Sequence, residues 1–366
     1  MKISRGVVGV IGFLVLGSAL GLSAWRAQAW WSDASAPIAS QATPDQKKRV
    51  LIQIPPGTSA QQIGQKLEAA GLIRSARAWE LWARWLMWQK PGGFQAGSYE
   101  LSTGESLQAI ADKIWLGQVA QQSFTIPEGW SMKQMAAYFE QQGYFKAQDF
   151  MTAAAQVPKA DYPWLPDKIP HLEGFLYPDT YQIVAGTSVT PQQIVRQMLD
   201  RFEQVALPVY NQSHDRAQFS LLQWVTLASI VEKEAVIPAE RARISGVFHN
   251  RLRKNMPLAS DPTVEYAFGI KQTKEKPLTF AQVAMPSPYN TYVTPGLPPT
   301  PIASPGVASL KATLEPEATD YLYFVARYDG SHVFSRTLSE HEAAQNKIRD
   351  RVDAEQAKPT PQKSKS

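Results

Sequence analysis

Hydrophobic residues are concentrated first in an uncharged run over residues 6–25, which follows Lys2 and Arg5. About 20 apolar residues suffice for a helix to cross a bilayer, and basic residues before such a helix stay in the cytoplasm. The pattern predicts a cytoplasmic N-terminus over residues 1–5, a transmembrane anchor over residues 6–25 and export of the rest. A cleaved signal peptide is the alternative, because residues 27–29 (Ala-Gln-Ala) resemble a cleavage site, but the apolar core exceeds the usual ~7–15 residues.

A second pattern occurs three times: a short apolar or alternating stretch, a glycine turn ending in serine, and a run with helical periodicity. The turns read IPPGTS from residue 54, LSTGES from residue 101 and IPEGWS from residue 126. Serine after the glycine supplies an N-cap, so each copy predicts a strand, a turn and a helix. The unequal spacing of the copies indicates a reused unit rather than a regular repeat array.

The first of these turns resembles the opening of the LysM module, which grips N-acetylglucosamine polymers. On this resemblance we expect residues 49–120 to form a small LysM-like peptidoglycan-binding subdomain. The alternative is a common β-turn-α opening, because the matching stretch is short. Residues 26–48 are rich in Ala, Ser, Gln and Pro and predict a linker, with an unfolded tether over residues 27–45, and the polar residues 351–366 predict a disordered tail.

A long apolar pattern, FSLLQWVTLASIVEKEA over residues 219–235, predicts an amphipathic helix with a wide buried face. Glu232 and Glu234 near its end lie roughly 200° apart around the axis and cannot act as a close carboxylate pair. Periodicity places Glu232 in the main apolar stripe and Glu234 on its flank. A carboxylate held against apolar neighbours has a raised pKa and can act as a general acid, whereas the alternative is two solvated glutamates at a helix end.

Composition narrows the possible functions. The 366 residues leave room for two or three domains, and the absence of cysteine excludes disulfides and cysteine chemistry. The net charge of +5 suits a surface facing anionic lipid or an anionic wall polymer, or merely maintains solubility. The predicted export argues against nucleic acid as a partner. The five histidines lack metal-ligand spacing, and HExxH, GxSxG and phosphate-loop motifs are missing, so we expect no metal or other cofactor.

Six motifs occur in a particular order: HLEGFLYPDTYQI from residue 171, ASIVEKEA from 228, VFHNRL from 247, PLASDPTVEYAFG from 257, SPYNTYVTPGLPPTPIASPG from 287 and YLYFVARYDGSHVFSRTLSEH from 321. Together they resemble the YceG-like endolytic murein transglycosylase family over residues 49–350, with the anchor in addition. The resemblance implies that the second glutamate of the E-x-E pair, Glu234, is catalytic, against the preference of periodicity for Glu232. Two departures are Ala235, where many relatives have threonine, and an Ala-Arg-Tyr insertion before Asp329.

The family resemblance implies a lytic reaction that one carboxylic acid can perform. Most glycosidases need two carboxyl groups, but a single glutamate suffices when the C6 hydroxyl of N-acetylmuramic acid attacks its own anomeric carbon and forms a 1,6-anhydro ring. The expected substrate is nascent peptidoglycan at the periplasmic face of the bacterial inner membrane, and penicillin-binding synthases are expected partners. A hydrolytic muramidase and a non-catalytic wall-binding scaffold remain alternatives.

Several motif residues are candidate walls of a substrate cleft within a mixed α/β catalytic domain over residues 121–350. Glu173 and Asp179 could bond sugar hydroxyls, although Asp179 could instead cap a turn, and Asp261 could instead be a helix N-cap. Tyr289, Asn290 and Tyr292 lie in a proline-rich loop that suits stacking on N-acetyl sugars, or that covers the core with its tyrosines. The sequence therefore predicts an α+β protein with an anchor, a LysM-like subdomain and this domain. Asp329 and Gly330 predict a hairpin turn.

Overall fold

The structure is a computed structural model that describes residues 22–39, 48–213, 218–273, 276–327 and 329–356. Residues 1–21 of the predicted N-terminus and anchor, residues 40–47 of the linker and residues 357–366 of the tail lie outside this part of the chain. Among the described residues, no helix has the length and apolar character needed to cross a membrane.

The predicted linker and tail are partly helical. Helix α1 covers residues 22–35, and within it Trp31 and Ala34 pack against a hydrophobic core, so the prediction of an unfolded tether is wrong for residues 27–35. The sequence pattern missed this because only a few apolar side chains make the contact. Helix α13 (Leu338–Gln356) likewise extends into the predicted tail.

The chain divides into two compact units. The first contains the chain up to Ser123 and Gln182–Ser188, and its elements are β1 (Arg49–Ile54), α2 (Ala60–Ala69), α3 (Ala76–Gln89), β2 (Gly97–Ser102) and α4 (Leu107–Trp115). Strands β1 and β2 pair antiparallel from Arg49 opposite Ser102 to Ile54 opposite Gly97. The core beneath them includes Ile63, Leu67, Trp79, Tyr99, Leu101 and Ile110.

The second unit contains Phe124–Tyr181 and the chain from Val189 onward. Its helices are α5 (Met132–Gln141), α6 (Ala147–Ala155), α7 (Pro191–Gln212), α8 (Leu221–Glu234), α9 (Arg241–Arg253), α10 (Asp261–Phe268), α11 (Phe280–Val283), α12 (Val307–Leu314) and α13, with a 3-10 turn at Pro238–Glu240. Strands β3 (Gln121–Thr125) and β4 (Thr180–Val184), which pair with each other, cross the division between the units. Strands β5 (Tyr323–Ala326) and β6 (His332–Ser335) form an antiparallel hairpin.

The predicted strand-turn-helix unit is confirmed in all three copies. Ser59, Ser106 and Ser131 are the N-caps of α2, α4 and α5, and each hydroxyl accepts a backbone N–H of the first helical turn. The turn glycines Gly57 and Gly129 have φ angles of +80° and +76°, a region that favours glycine. The predicted hairpin at Asp329 and the α+β fold class are also confirmed.

Helix α8 is more deeply buried than its pattern predicts. Every residue from Trp224 to Val231 is buried, so the helix is surrounded by protein on all sides rather than on one wide face. The Trp224 indole N–H donates to the Leu310 carbonyl of α12 at 2.9 Å, and Ile230 and Val231 pack in one core with residues of α9. Charged residues appear only in the last turn, at the point where the burial ends.

Candidate active site

Glu234 is the last residue of α8, and its carboxylate accepts a hydrogen bond from the Ser260 hydroxyl. The Ser260 Oγ to Glu234 Oε1 distance is 2.6 Å. Ser260 is held in turn by its backbone, because its N–H donates to the Thr291 hydroxyl at 3.0 Å and its carbonyl accepts from Thr263 at 2.6 Å. Ala259 before it has a φ of +48°, an unusual conformation for alanine that points to a closely determined local geometry.

Burial raises the pKa of Glu234 from 4.5 to about 7. The negative charges of Asp261 and Glu265 also raise this pKa, whereas the Ser260 hydrogen bond and the positive charge of Arg251 lower it. The residue keeps partial solvent exposure although protein surrounds its carboxyl group. Glu234 therefore exists in both protonation states near neutral pH, as a group that gives and retakes a proton must.

Arg251 on α9 brings a fixed positive charge close to this carboxyl group. Its Nε donates to the Leu322 carbonyl at 2.6 Å, its Nη1 donates to the Leu258 carbonyl at 3.0 Å, and its guanidinium lies 5.0 Å from the ring centre of Tyr323. These contacts hold the side chain in place. Burial lowers the pKa of Arg251, and the charge of Glu234 raises it.

Asp261 and Tyr292 join the same group of side chains. The Tyr292 hydroxyl donates to Asp261 Oδ1 at 2.6 Å, and burial followed by the charges of Asp261 and Glu234 raises the pKa of Tyr292, which therefore stays a neutral donor. Asp261 is the first residue of α10, whereas Ser260 occupies the N-cap position. The alternative that Asp261 is the helix N-cap is therefore wrong, because the N-cap is the residue before it. The Asp261 carboxylate binds Tyr292 instead.

Glu173 lies inside the protein. It is almost fully buried, its Oε1 accepts the Met132 N–H at 2.9 Å, and its Oε2 accepts the Tyr266 hydroxyl at 3.1 Å. Burial raises the pKa of Glu173 to about 7, against the lowering effect of these hydrogen bonds. In this position Glu173 connects α5 to α10 and leaves no oxygen facing a substrate, which argues against the predicted sugar contact.

The proline-rich loop also uses its predicted substrate groups mainly for its own structure. Asn290 is fully buried, and its amide donates to the carbonyls of Val283 and Met285 at 2.9 and 2.7 Å. The Tyr289 hydroxyl lies 2.8 Å from the Thr300 hydroxyl, and its ring packs against the core. This arrangement favours the covering-loop alternative for these two residues, whereas Tyr292 reaches the group around Glu234.

Asp179 and Glu232 have partners of their own. The Arg201 Nε of α7 lies 2.6 Å from Asp179 Oδ2, and the Asp179 carbonyl accepts the Ile126 N–H, so Asp179 braces the end of β3 and β4. Glu232 is half-buried like Glu234, and its Oε2 accepts the Gly306 N–H at the start of α12, where a negative charge is favourable. The two glutamates of the pair thus have different surroundings, and Glu234 is the one joined to Ser260.

Two residues of this group were not singled out from the sequence. Ser260 lies in the PLASDPTVEYAFG motif and Arg251 in the VFHNRL motif. Their positions within these two motifs are the feature of the sequence that could have identified them. Among the described residues, no group of three histidine, aspartate or glutamate side chains could hold a metal ion. The arrangement offers one titrating carboxyl group with a neutral hydroxyl, a cation and two carboxylates around it, which suits proton transfer to and from a single bond.

Comparison with known proteins identifies the family of this chain. Residues 52–347 match the YceG-like family. The endolytic murein transglycosylase of Bacillus subtilis strain 168 is 35% identical over 320 residues, which are 83% of this chain and 86% of that protein. The endolytic murein transglycosylase of Streptococcus pneumoniae strain D39 is 29% identical over 91% of this chain, and the match spans 64% of that longer protein.

A solved structure supports the fold. The 2.6 Å crystal structure of a yceG-like protein from Listeria monocytogenes is 34% identical, with a TM-score of 0.55 over 81% of this chain and 99% of that one. The family match covers most of the chain, and the resemblance predicted from the six motifs is confirmed. The chain belongs to the YceG-like family.

Proposed function

We propose that this protein is an endolytic peptidoglycan lytic transglycosylase with Glu234 as its single acid and base. It cuts the bond between N-acetylmuramic acid and N-acetylglucosamine inside glycan strands and leaves 1,6-anhydro ends. The observation that carries the proposal is the carboxyl group of Glu234, which is enclosed by protein on a half-buried residue and whose pKa lies at about 7 beside the Ser260 hydroxyl. The names of the Bacillus and Streptococcus relatives support the same activity.

The reaction proceeds by two proton transfers at one group. Protonated Glu234 gives its proton to the glycosidic oxygen as the bond from that oxygen to the anomeric carbon breaks. The resulting carboxylate takes the proton from the C6 hydroxyl of the same muramic residue, whose oxygen bonds to the anomeric carbon. Water is neither consumed nor released, and the ring closure benefits from being intramolecular.

The neighbours of Glu234 suit both halves of this cycle. The charge of Asp261 favours the protonated form that the first step needs, and the Ser260 hydroxyl and Arg251 stabilise the carboxylate that the second step needs. Tyr292 holds Asp261 through a 2.6 Å hydrogen bond, and the charges of Asp261 and Glu234 both raise the pKa of Tyr292. We therefore keep Tyr292 and Asp261 as substrate-binding candidates.

The remaining parts of the proposal concern location and partners. Residues 6–25 anchor the chain in the bacterial inner membrane, with the rest of the chain in the periplasm, where the enzyme ends elongation of nascent strands beside peptidoglycan synthases. Residues 49–120 bind the amino-sugar polymer as a LysM-like subdomain. The β1-α2-α3-β2 order of this region, with its capped Gly-Thr-Ser turn, supports that role.

Glu234→Gln tests the chemistry. The amide can still accept the Ser260 hydrogen bond but has no transferable proton, so we expect cleavage of purified sacculi to be abolished while the fold and wall binding are kept. Glu232→Gln is the matched control two residues away, and it should keep most activity. Thermal unfolding of both variants separates loss of chemistry from loss of structure.

Product analysis decides among the alternatives. Mass spectrometry of the digest identifies anhydro ends, which are lighter by one water than the reducing ends that a hydrolytic muramidase makes. Full activity in Glu234→Gln would overturn the assignment, and binding without any cleavage by the wild-type protein would identify a scaffold. A time course on uncrosslinked strands should yield fragments of many lengths early, whereas disaccharide dominating from the start would refute the endolytic mode alone.

A further inference from the structure

Helix α3 carries a tryptophan at every third position, at residues 79, 82, 85 and 88. Three residues turn an α-helix by about 300°, so each ring is displaced by about 60° from the one before it. The exposed fraction rises accordingly from 0% at Trp79 to 42% at Trp85 and 81% at Trp88. The series therefore passes from the core of the first unit to its surface.

The outward side of α3 combines these rings with an aliphatic side chain and two cations. Arg77, Leu81, Arg84, Trp85 and Trp88 follow the spacing of a single helical face, opposite the core side chains of Ala78, Trp79, Ala83 and Leu86. We call this set the outer α3 face. Leu81 is 46% exposed, and neither arginine has a carboxylate within ion-pair distance in the part of the chain that the structure describes.

Helix α1 links the outer α3 face to the predicted anchor. The ring centres of Trp31 and Trp82 are 5.9 Å apart, and the Trp82 ring stacks on the Trp85 ring with their centres 4.4 Å apart. Trp25, the last residue of the predicted anchor, precedes Trp31 by six helical residues, which rise about 9 Å. Trp25 and Trp30 are themselves exposed. The outer α3 face is thus tied by direct packing to the point where the chain would leave the membrane.

We propose that the outer α3 face lies in the headgroup layer of a bilayer containing anionic phospholipid. Tryptophan favours that layer because its ring is apolar and its indole N–H is polar, and arginine can bury its stem while its guanidinium contacts lipid phosphate. Without such a surface, two large rings and a leucine would be exposed to water beside two cations. The contact orients the first unit on the membrane.

This inference depends on the proposed anchor but not on the chemistry of Glu234, so the two can fail separately. The test uses the full chain reconstituted in vesicles of mixed anionic and zwitterionic phospholipid. Since the protein has no cysteine, Leu81→Cys and Trp88→Cys each create a single site for a fluorescent label. Gln65→Cys, at an exposed position on α2, and Met87→Cys, about 100° around α3 from residue 88, are the controls.

Lipids brominated near the headgroup are expected to quench the labels at residues 81 and 88 several-fold more than the label at residue 65, with an intermediate effect at residue 87. Retention after an alkaline wash is measured first, and its loss would overturn the anchor and this proposal together. Retention with equal, weak quenching at all four positions would overturn the membrane contact alone. Protection of residues 81 and 88 only in native membranes, not in pure lipid, would identify a protein partner and also refute the proposal.

Discussion

Ser260→Ala is expected to move the pH dependence of cleavage. The Ser260 hydroxyl donates a 2.6 Å hydrogen bond to Glu234, and this bond lowers a pKa that burial has raised to about 7. Alanine keeps the backbone bonds of residue 260 to Thr291 and Thr263, so the perturbation is confined to one hydroxyl group. The carboxylate loses a donor while its burial stays the same, and its pKa must rise.

The size of the shift follows from the strength of the bond. A hydrogen bond to a charged group contributes about 1.5–3 kcal/mol, and one pKa unit corresponds to about 1.4 kcal/mol. Loss of the bond therefore raises the pKa of Glu234 by about 1–2 units. The lower value is expected, because Glu234 is partly exposed and water can replace some of the lost bonding.

The assay is the initial rate of anhydro-end formation at limiting substrate, from about pH 5 to pH 9. The wild-type rate should fall as the pH rises through about 7, where protonated Glu234 is lost, and Ser260→Ala should move this fall upward by about one unit. Asp261→Asn should have the opposite effect, because it removes a negative charge that raises the pKa of Glu234. The fall in rate should then occur at a lower pH. If both variants are folded and active but their cleavage rates fall at the same alkaline pH as the wild-type rate, Glu234 is not the titrating acid.

Glu173→Gln should flatten the pH dependence of the unfolding free energy. The pKa of Glu173 is about 7 in the folded protein and 4.5 ordinarily, so the wild-type unfolding free energy falls by about 3 kcal/mol as the pH rises from 4.5 to 7. The amide of glutamine does not titrate and removes this fall. Urea unfolding of both proteins at low and high pH checks this, and an equal change of unfolding free energy with pH in the two proteins would contradict it. Glu234→Gln should stabilise the protein above pH 7 for the same reason, by a smaller amount because the residue is partly exposed; a destabilised variant at that pH would be the contrary result. Tyr292→Phe should lower the unfolding free energy by about 1–2 kcal/mol, because Asp261 loses a charged hydrogen bond, and unchanged urea midpoints would argue against it.

Local chemistry made several elements predictable from the sequence. The three glycine turns and their capping serines specify a helix start within a few residues, so Ser59, Ser106 and Ser131 could be placed without tertiary information. The hairpin at Asp329 follows the same logic. Helix α3 was missed because apolar rings occupy both its core and its outer side, which obscures the amphipathic period.

Helical periodicity alone could not decide whether Glu232 or Glu234 is the catalytic candidate. Periodicity assumes one buried face, but α8 is enclosed on all sides from Trp224 to Val231, and Glu232 and Glu234 beyond it are both half-buried, so a place in the apolar stripe does not distinguish them. The family motifs indicated Glu234, yet its pKa depends on groups brought from distant positions by the fold. Ser260 precedes α10 as its N-cap and Arg251 lies on α9, and only tertiary packing brings both to the Glu234 carboxyl group.

The sequence by itself thus determined the fold class, the family and the candidate catalytic glutamate, because caps, turns and motifs are encoded over short stretches. Tertiary structure decided which polar side chains face the same site as Glu234. It buried Glu173 and Asn290, paired Asp179 with Arg201, and kept Asp261 and Tyr292 beside Glu234. The physical reason is that the solvation and charge environment of a carboxyl group are set by everything packed around it, and periodicity along one helix records only one of those surfaces.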